Sequence, residues 1–211
     1  YSCIIPTSKS LDRVEYTKLH PKERFLGRYT KDNILFPHNE LVDNCNIHQP
    51  DIYLFVGDQF YESYPTRFGR HTKDAKLDTL YRWYLWYWAF ADSIKDRPSI
   101  MLADDHDVLQ GNLWGNEGID SHTDKEEDGG YKWGKDIVRM VYRCQHGHNP
   151  DPYDPTPIRH NIPVAYANFV YGGVDFAIVE DRKFTAPPDY KMDRLNTTGE
   201  LLGKRQEKFL A

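Results

Sequence analysis

Cysteine is scarce. Cys3, Cys45 and Cys144 are the whole complement, too few for a dense disulfide framework and without the C-x-x-C spacing of a zinc site. No apolar stretch is long and continuous enough to span a bilayer. Dense basic patches are missing too, and the formal net charge of -5 argues against a nucleic-acid binder, because phosphate backbones reward clustered Lys and Arg. There is no internal repeat and no low-complexity segment. The first position holds Tyr1 rather than Met, so a processed chain or part of a longer one is expected. The lack of a signal segment therefore carries no information.

What is present is globular in character. The chain has 211 residues, enough for one domain with a substantial core, and 15 Tyr, 10 Phe and 5 Trp make it rich in aromatics. Residues 1 to 36 read mostly as loop. "NELVDNCNIHQP" reads as a short helix from Asn39 to about His48, stopped by Pro50. "DIYLFVGD" is an apolar run of β-formers, expected as a buried strand. "LDTLYRWYLWYWAFADSIKDRP" reads as a helix from about Asp78, its N-cap, to Lys95, with Pro98 just beyond. Its aromatics cover nearly the whole circumference, which points to a packed layer. "SIMLAD" is a second buried strand.

Further on, "YKWGKDIVRMVYRCQ" has Trp133, Ile137, Met140, Val141 and Cys144 at helical spacing. "HNPDPYDPTP" is too rich in Pro and Asp for regular structure. "VAYANFVYGGVDFAIVED" reads as a hairpin around Gly172-Gly173, and "TTGELLGKRQEKFLA" as a helix from about Gly199. Alternating helices and strands indicate an α/β fold. In open α/β sheets, sites form where strands end. Here three such ends carry charge: Asp58, the group Asp104-Asp105-His106-Asp107, and Glu180-Asp181-Arg182-Lys183.

Three carboxylates crowd with an imidazole into four consecutive positions, and like charges this close raise one another's pKa unless cations or hydrogen-bond donors neutralise them. An acidic turn capping the next helix is the plain explanation; a bound cation is the other. Asp58, on a Gly-preceded turn after a strand, is either a turn former or a carboxylate with room for an ion. Tyr61 is a packed aromatic or a phenolate ligand of that ion. Asn112, after a glycine, offers a compact amide oxygen of the kind hard cations take. His106 is near enough in sequence to flank a phosphate oxygen. Arg182 could clamp phosphate bidentately or form a surface ion pair.

Together, "PDIYLFVGDQFYE", "DDHDVLQGNLWG", "NPDPYDPTP", "GGVDFAIVEDRKF" and "LLGKRQEKFL" resemble the PhoD-like alkaline phosphatases of the calcineurin-like metallophosphoesterase superfamily. The likeness runs from about Pro37 to the last residue, with the motifs in the family's order. It implies one metallophosphatase domain over residues 1–211, an α/β/β/α sandwich of four layers, incomplete at the C-terminus because a late Asp-x-His element is missing after Arg182. By the same resemblance Asp58 is a bridging metal ligand, Tyr61 and Cys3 bind ferric iron, and Asn112 binds the second, harder ion, calcium. Asp105, His106 and Arg182 match motif positions lining the site, whereas His146 and His148 are expected to be loop residues. The implied reaction is hydrolysis of phosphate mono- or diesters by a metal-activated water, in a secreted, periplasmic or cell-surface protein.

Two other classes compete. A glycan-binding or cell-surface module would use the aromatic helix and tyrosine-rich loops, with Trp and Tyr exposed and no metal. A glycoside hydrolase would pair Asp58 with Asp105, but it gives Tyr61, Asn112 and Arg182 nothing to do.

Overall fold

Strand β1 (Tyr53–Val56) is the apolar run ahead of Gly57, and its burial alternates: Tyr53 and Phe55 point inward while Leu54 and Val56 are exposed. The expected buried strand is buried on one face only, with the period of two that a single packed face imposes. In this computed structural model the described residues are 1–4, 38–59, 61, 75–108, 131, 134–181 and 201–211. The chain divides into two units, Tyr1–Met101 and Leu102–Ala211.

The first unit holds α1 (Asn39–Ile47), β1, α2 (Ala75–Ile94) and nearly all of β2 (Ser99–Leu102). α1 ends at Ile47 with His48 as its C-cap, two residues before Pro50, as the sequence indicates. β1 and β2 form a two-stranded sheet. α2 starts earlier than expected, so Asp78 lies in its first turn instead of at the N-cap. A carboxylate there still faces the positive end of the helix dipole.

Residues 1–4 run beside β1: the Tyr1 ammonium donates to the Leu54 carbonyl at 2.9 Å, and Val56 N–H donates to the Tyr1 carbonyl at 2.9 Å. This lays the Tyr1 ring on Phe55, centroids 5.1 Å apart and nearly parallel, and edge-on to Phe90. Phe55 also meets Trp86 edge to face at 4.7 Å. Trp83, Trp86 and Phe90 of α2 are buried in this cluster, but Tyr84 and Trp88 are 62% and 59% exposed. The all-round aromatic layer is therefore corrected: α2 packs along one face and presents aromatics along another.

The second unit holds α3 (Asp105–Val108), α4 (Lys135–His146), β3 (Ala167–Tyr171), β4 (Val174–Ile178) and α5 (Lys204–Leu210). β3 and β4 form the expected antiparallel hairpin, with Tyr171 opposite Val174 and Gly172-Gly173 as the turn. Both glycines have positive φ, 60° and 80°, as a two-residue type I′ turn demands. An added Cβ would meet nothing within 4 Å at either position, so backbone conformation alone requires glycine there. Phe169 and Phe176 stack across the hairpin at 4.9 Å.

α4 buries Val138, Val141, Tyr142 and Gln145. Of the expected stripe only Val141 belongs to this face; Ile137, Met140 and Cys144 are partly exposed, and Trp133 lies outside the described residues. The face is turned because Tyr142 finds a buried partner: its hydroxyl donates to Glu180 Oε1. A large ring whose polar tip is satisfied gains more from burial than a thioether or thiol.

Glu180 is itself buried and held from three sides. Ala165 N–H donates to its Oε2 at 2.8 Å, its own N–H donates to Gln206 Oε1 at 2.7 Å, and Gln206 Nε2 donates to its carbonyl at 2.6 Å. Gln206 belongs to α5, whose N-cap is Gly203; the expected start near Gly199 lies outside the described residues. The segment 149–158 has no regular structure, as its prolines require. Arg205 of α5 anchors it, donating to the Thr156 carbonyl at 2.6 Å, while Tyr153 packs on Phe209. Among the described residues, no helix is long and apolar enough to cross a membrane.

Candidate metal centre

The turn after β1 delivers the site. Gly57 has φ 101° and Asp58 φ 54°, so two consecutive residues leave the strand in conformations an L side chain resists. Asp tolerates the left-handed region better than most residues, and a strained non-glycine at a buried turn is a mark of function. Cys3 is left-handed as well, at φ 56°. Cys3 N–H donates to the Gly57 carbonyl at 3.3 Å and Ile4 N–H to the Asp58 carbonyl at 2.8 Å, so the backbone fixes Cys3 beside the turn.

The side chains converge on one oxygen. Cys3 Sγ donates to Asp58 Oδ2 at 3.5 Å and Tyr61 Oη donates to the same Oδ2 at 2.9 Å. Burial, then the neighbouring Cys3 and Asp58, push the Tyr61 phenol well above its ordinary range. Three of the four residues that the resemblance assigns to metal, separated by 55 positions, thus share one cluster in the first unit. Thiol, carboxylate and phenol are all ligands when deprotonated, and stripping the two donated protons would crowd three negative charges. Such a set is tolerable around a bound cation, which would supply the compensating charge.

A buried cation supports the cluster. Arg82, only 1% exposed, reaches back from α2 and donates through Nη1 to the Tyr61 carbonyl. Sequence reading passed over it. The available signal was a lone guanidinium in "LYRWYLWYW", where all eight neighbours are aromatic or apolar and an unpaired charge could not be buried.

In the second unit the acidic stretch separates into two roles. Asp107 Oδ2 accepts Asp104 N–H at 2.9 Å, and Asp104 Oδ1 accepts Asp105 N–H at 2.9 Å. With Asp104 at the N-cap of α3 and Asp107 three residues on, the first bond is one half of a capping box. The plain capping explanation therefore accounts for Asp104 and Asp107. Asp105 is buried and His106 half-buried; His106 Nε2 lies 4.0 Å from Asp105 Oδ2.

Of the remaining expected site residues, Asn112 and Arg182 lie outside the described residues. Glu180, grouped with Arg182 as strand-end charge, is instead a buried structural carboxylate. His146 is not a loop residue, as expected, but the last residue of α4, and its Nε2 accepts Ala103 N–H at 3.2 Å. His148 does lie beyond the helix, in the turn that follows it. Comparison of the chain with protein-family models, with curated proteins and with solved structures finds no match.

Proposed function

We propose that the protein is a PhoD-like phosphoesterase, hydrolysing phosphate mono- or diesters with metal-bound water, on an α/β/β/α sandwich of four layers. The observation that carries this reading is the meeting of Cys3, Asp58 and Tyr61 on Asp58 Oδ2. Neither a glycosidase nor a binding module requires a thiol and a phenol on one strained carboxylate. The chemistry supplied by bound cations, iron and calcium in this reading, is Lewis-acid polarisation of a phosphoryl oxygen and acidification of a water.

The chain's own residues have separate tasks. Asp58, Tyr61 and Cys3 hold the first cation, and Arg82 holds Tyr61 by its backbone. Asn112 supplies an oxygen to the second. Asp105 and His106 serve proton transfer and phosphate contact, and Arg182 binds the outer phosphoryl oxygens as a bidentate fork. A secreted, periplasmic or cell-surface location goes with this assignment. The test is metal content together with turnover of a phosphodiester and a phosphomonoester, in wild type and in Asp58→Asn. Loss of both metal and turnover with the fold retained is expected; full turnover in Asp58→Asn removes the assignment.

The glycan-binding reading is favoured by one observation, the exposed Tyr84 and Trp88, whose rings lie 6.3 Å apart along α2. It predicts oligosaccharide binding that Trp88→Ala abolishes, in a protein that purifies without metal.

A further inference from the structure

We propose that His146 is a positioning residue for the acidic turn, acting as a fixed hydrogen-bond acceptor at the point where β2 ends. A backbone N–H can only donate, so the 3.2 Å bond from Ala103 requires a lone pair on His146 Nε2. The neutral ring then carries its proton on Nδ1. Ala103 directly precedes Asp104, the cap of α3, and Asp105. Whatever fixes Ala103 fixes the origin of the whole acidic stretch.

The ring is held in turn. Tyr142, one helical turn earlier, meets it edge to face at 4.6 Å, and Tyr142 is tied by its hydroxyl to buried Glu180. Glu180 is clamped by Ala165 and Gln206. Directly after His146 in the chain, the C-cap Gly147 leaves no room for a side chain: a Cβ there would lie 2.5 Å from the Arg143 carbonyl oxygen. A rigid relay therefore runs Gln206, Glu180, Tyr142, His146, Ala103, and it ends where the catalytic carboxylate begins. Such support is what keeps a reacting group within a fraction of an ångström of its working place.

That Asp105 does chemistry rests on the phosphoesterase reading; the relay itself does not. The experiment therefore has two arms. Nitrogen-15 NMR of the wild-type protein should show His146 as the Nδ1–H tautomer, with the Ala103 amide protected from exchange. An Nε2–H tautomer, or an unprotected Ala103, overturns the proposal whatever the activity. In the second arm His146→Phe keeps the ring against Tyr142 but removes the acceptor, and His146→Gln restores an acceptor oxygen. kcat on a phosphodiester should fall about tenfold in His146→Phe, the effect of one lost hydrogen bond, with KM and metal content unchanged, and His146→Gln should recover most of it. Equal kcat in His146→Phe and wild type overturns the positioning role. A wild-type protein without phosphoesterase turnover would remove the functional reading instead, and the tautomer would still decide the relay.

Discussion

Tyr61 donates its phenolic proton to Asp58 Oδ2 across 2.9 Å, the same oxygen that Cys3 Sγ approaches. A phenol so placed binds its proton more tightly than a free one, and only a cation in the cluster would draw it off at neutral pH. If ferric iron binds, a phenolate-to-iron charge-transfer band should colour the protein, and Tyr61→Phe should bleach it. Visible absorption of the iron-loaded protein decides; colour that survives the substitution would leave Tyr61 a packing residue.

Arg82 gives a prediction on stability and site together. Its guanidinium is buried, and a charged hydrogen bond of this kind contributes about 1.5–3 kcal/mol. Arg82→Met should destabilise the protein by roughly that amount and free the Tyr61 backbone. Arg82→Lys should rescue little, because an ammonium is more strongly hydrated than a guanidinium and loses more on burial. Urea unfolding measures the first effect; the intensity of the Tyr61 charge-transfer band at fixed iron measures the second.

The hairpin turn separates conformation from space. Gly173→Ala should cost about 1–2 kcal/mol, since a left-handed L-residue is disfavoured by that much even where nothing stands in its way. Asn at the same position should cost clearly less than Ala, because it visits the left-handed region more readily. Equal unfolding midpoints for the two variants would show that φ is not what selects glycine here.

His38 predicts an acid limb. Burial lowers its pKa to about 4, below the 6.5 of an exposed imidazole. Between these values the unfolded chain binds the proton and the folded chain does not, so stability rises with pH across that window. The contribution is fully present above about pH 6.5 and is lost as pH falls toward 4, a change of roughly 1–2 kcal/mol after allowance for partial solvent access. His38→Asn removes the titration and suits the residue's φ of 62°. Its unfolding free energy should be flatter than wild type from pH 6.5 to 4; an unchanged slope would assign the limb to other groups.

How much of this was legible in the sequence depends on how local each feature is. The element order, the hairpin at Gly172-Gly173 and the irregular proline segment follow from periodicity and from the chemistry of glycine and proline, which act within a few residues. Asp58 and Tyr61 stood out three positions apart, but spacing alone favoured a turn former and a packed aromatic, and only the resemblance implied a shared ion. The Cys3 contact was suggested by resemblance, and no spacing rule links residues 55 positions apart.

Tertiary structure decided the rest. Periodicity finds a helical stripe but cannot say which neighbouring residue will meet a partner, so α4 turned toward Tyr142 once Glu180 stood ready to accept its hydroxyl. The aromatic content of α2 was plain, but which rings pack depended on Tyr1 and Phe55 arriving from other elements. Arg82 read as an unremarkable helix residue and His146 as a loop residue. Each acquired its role from a single backbone group, the Tyr61 carbonyl or the Ala103 N–H, which only folding brings within hydrogen-bond reach. Identical acidic residues likewise parted company: Asp104 and Asp107 are taken up by capping geometry, whereas Asp58 is set apart by a strained turn and two side-chain donors. Sequence determines what chemistry a residue can offer; distance and burial, set by the rest of the chain, determine whether it is used.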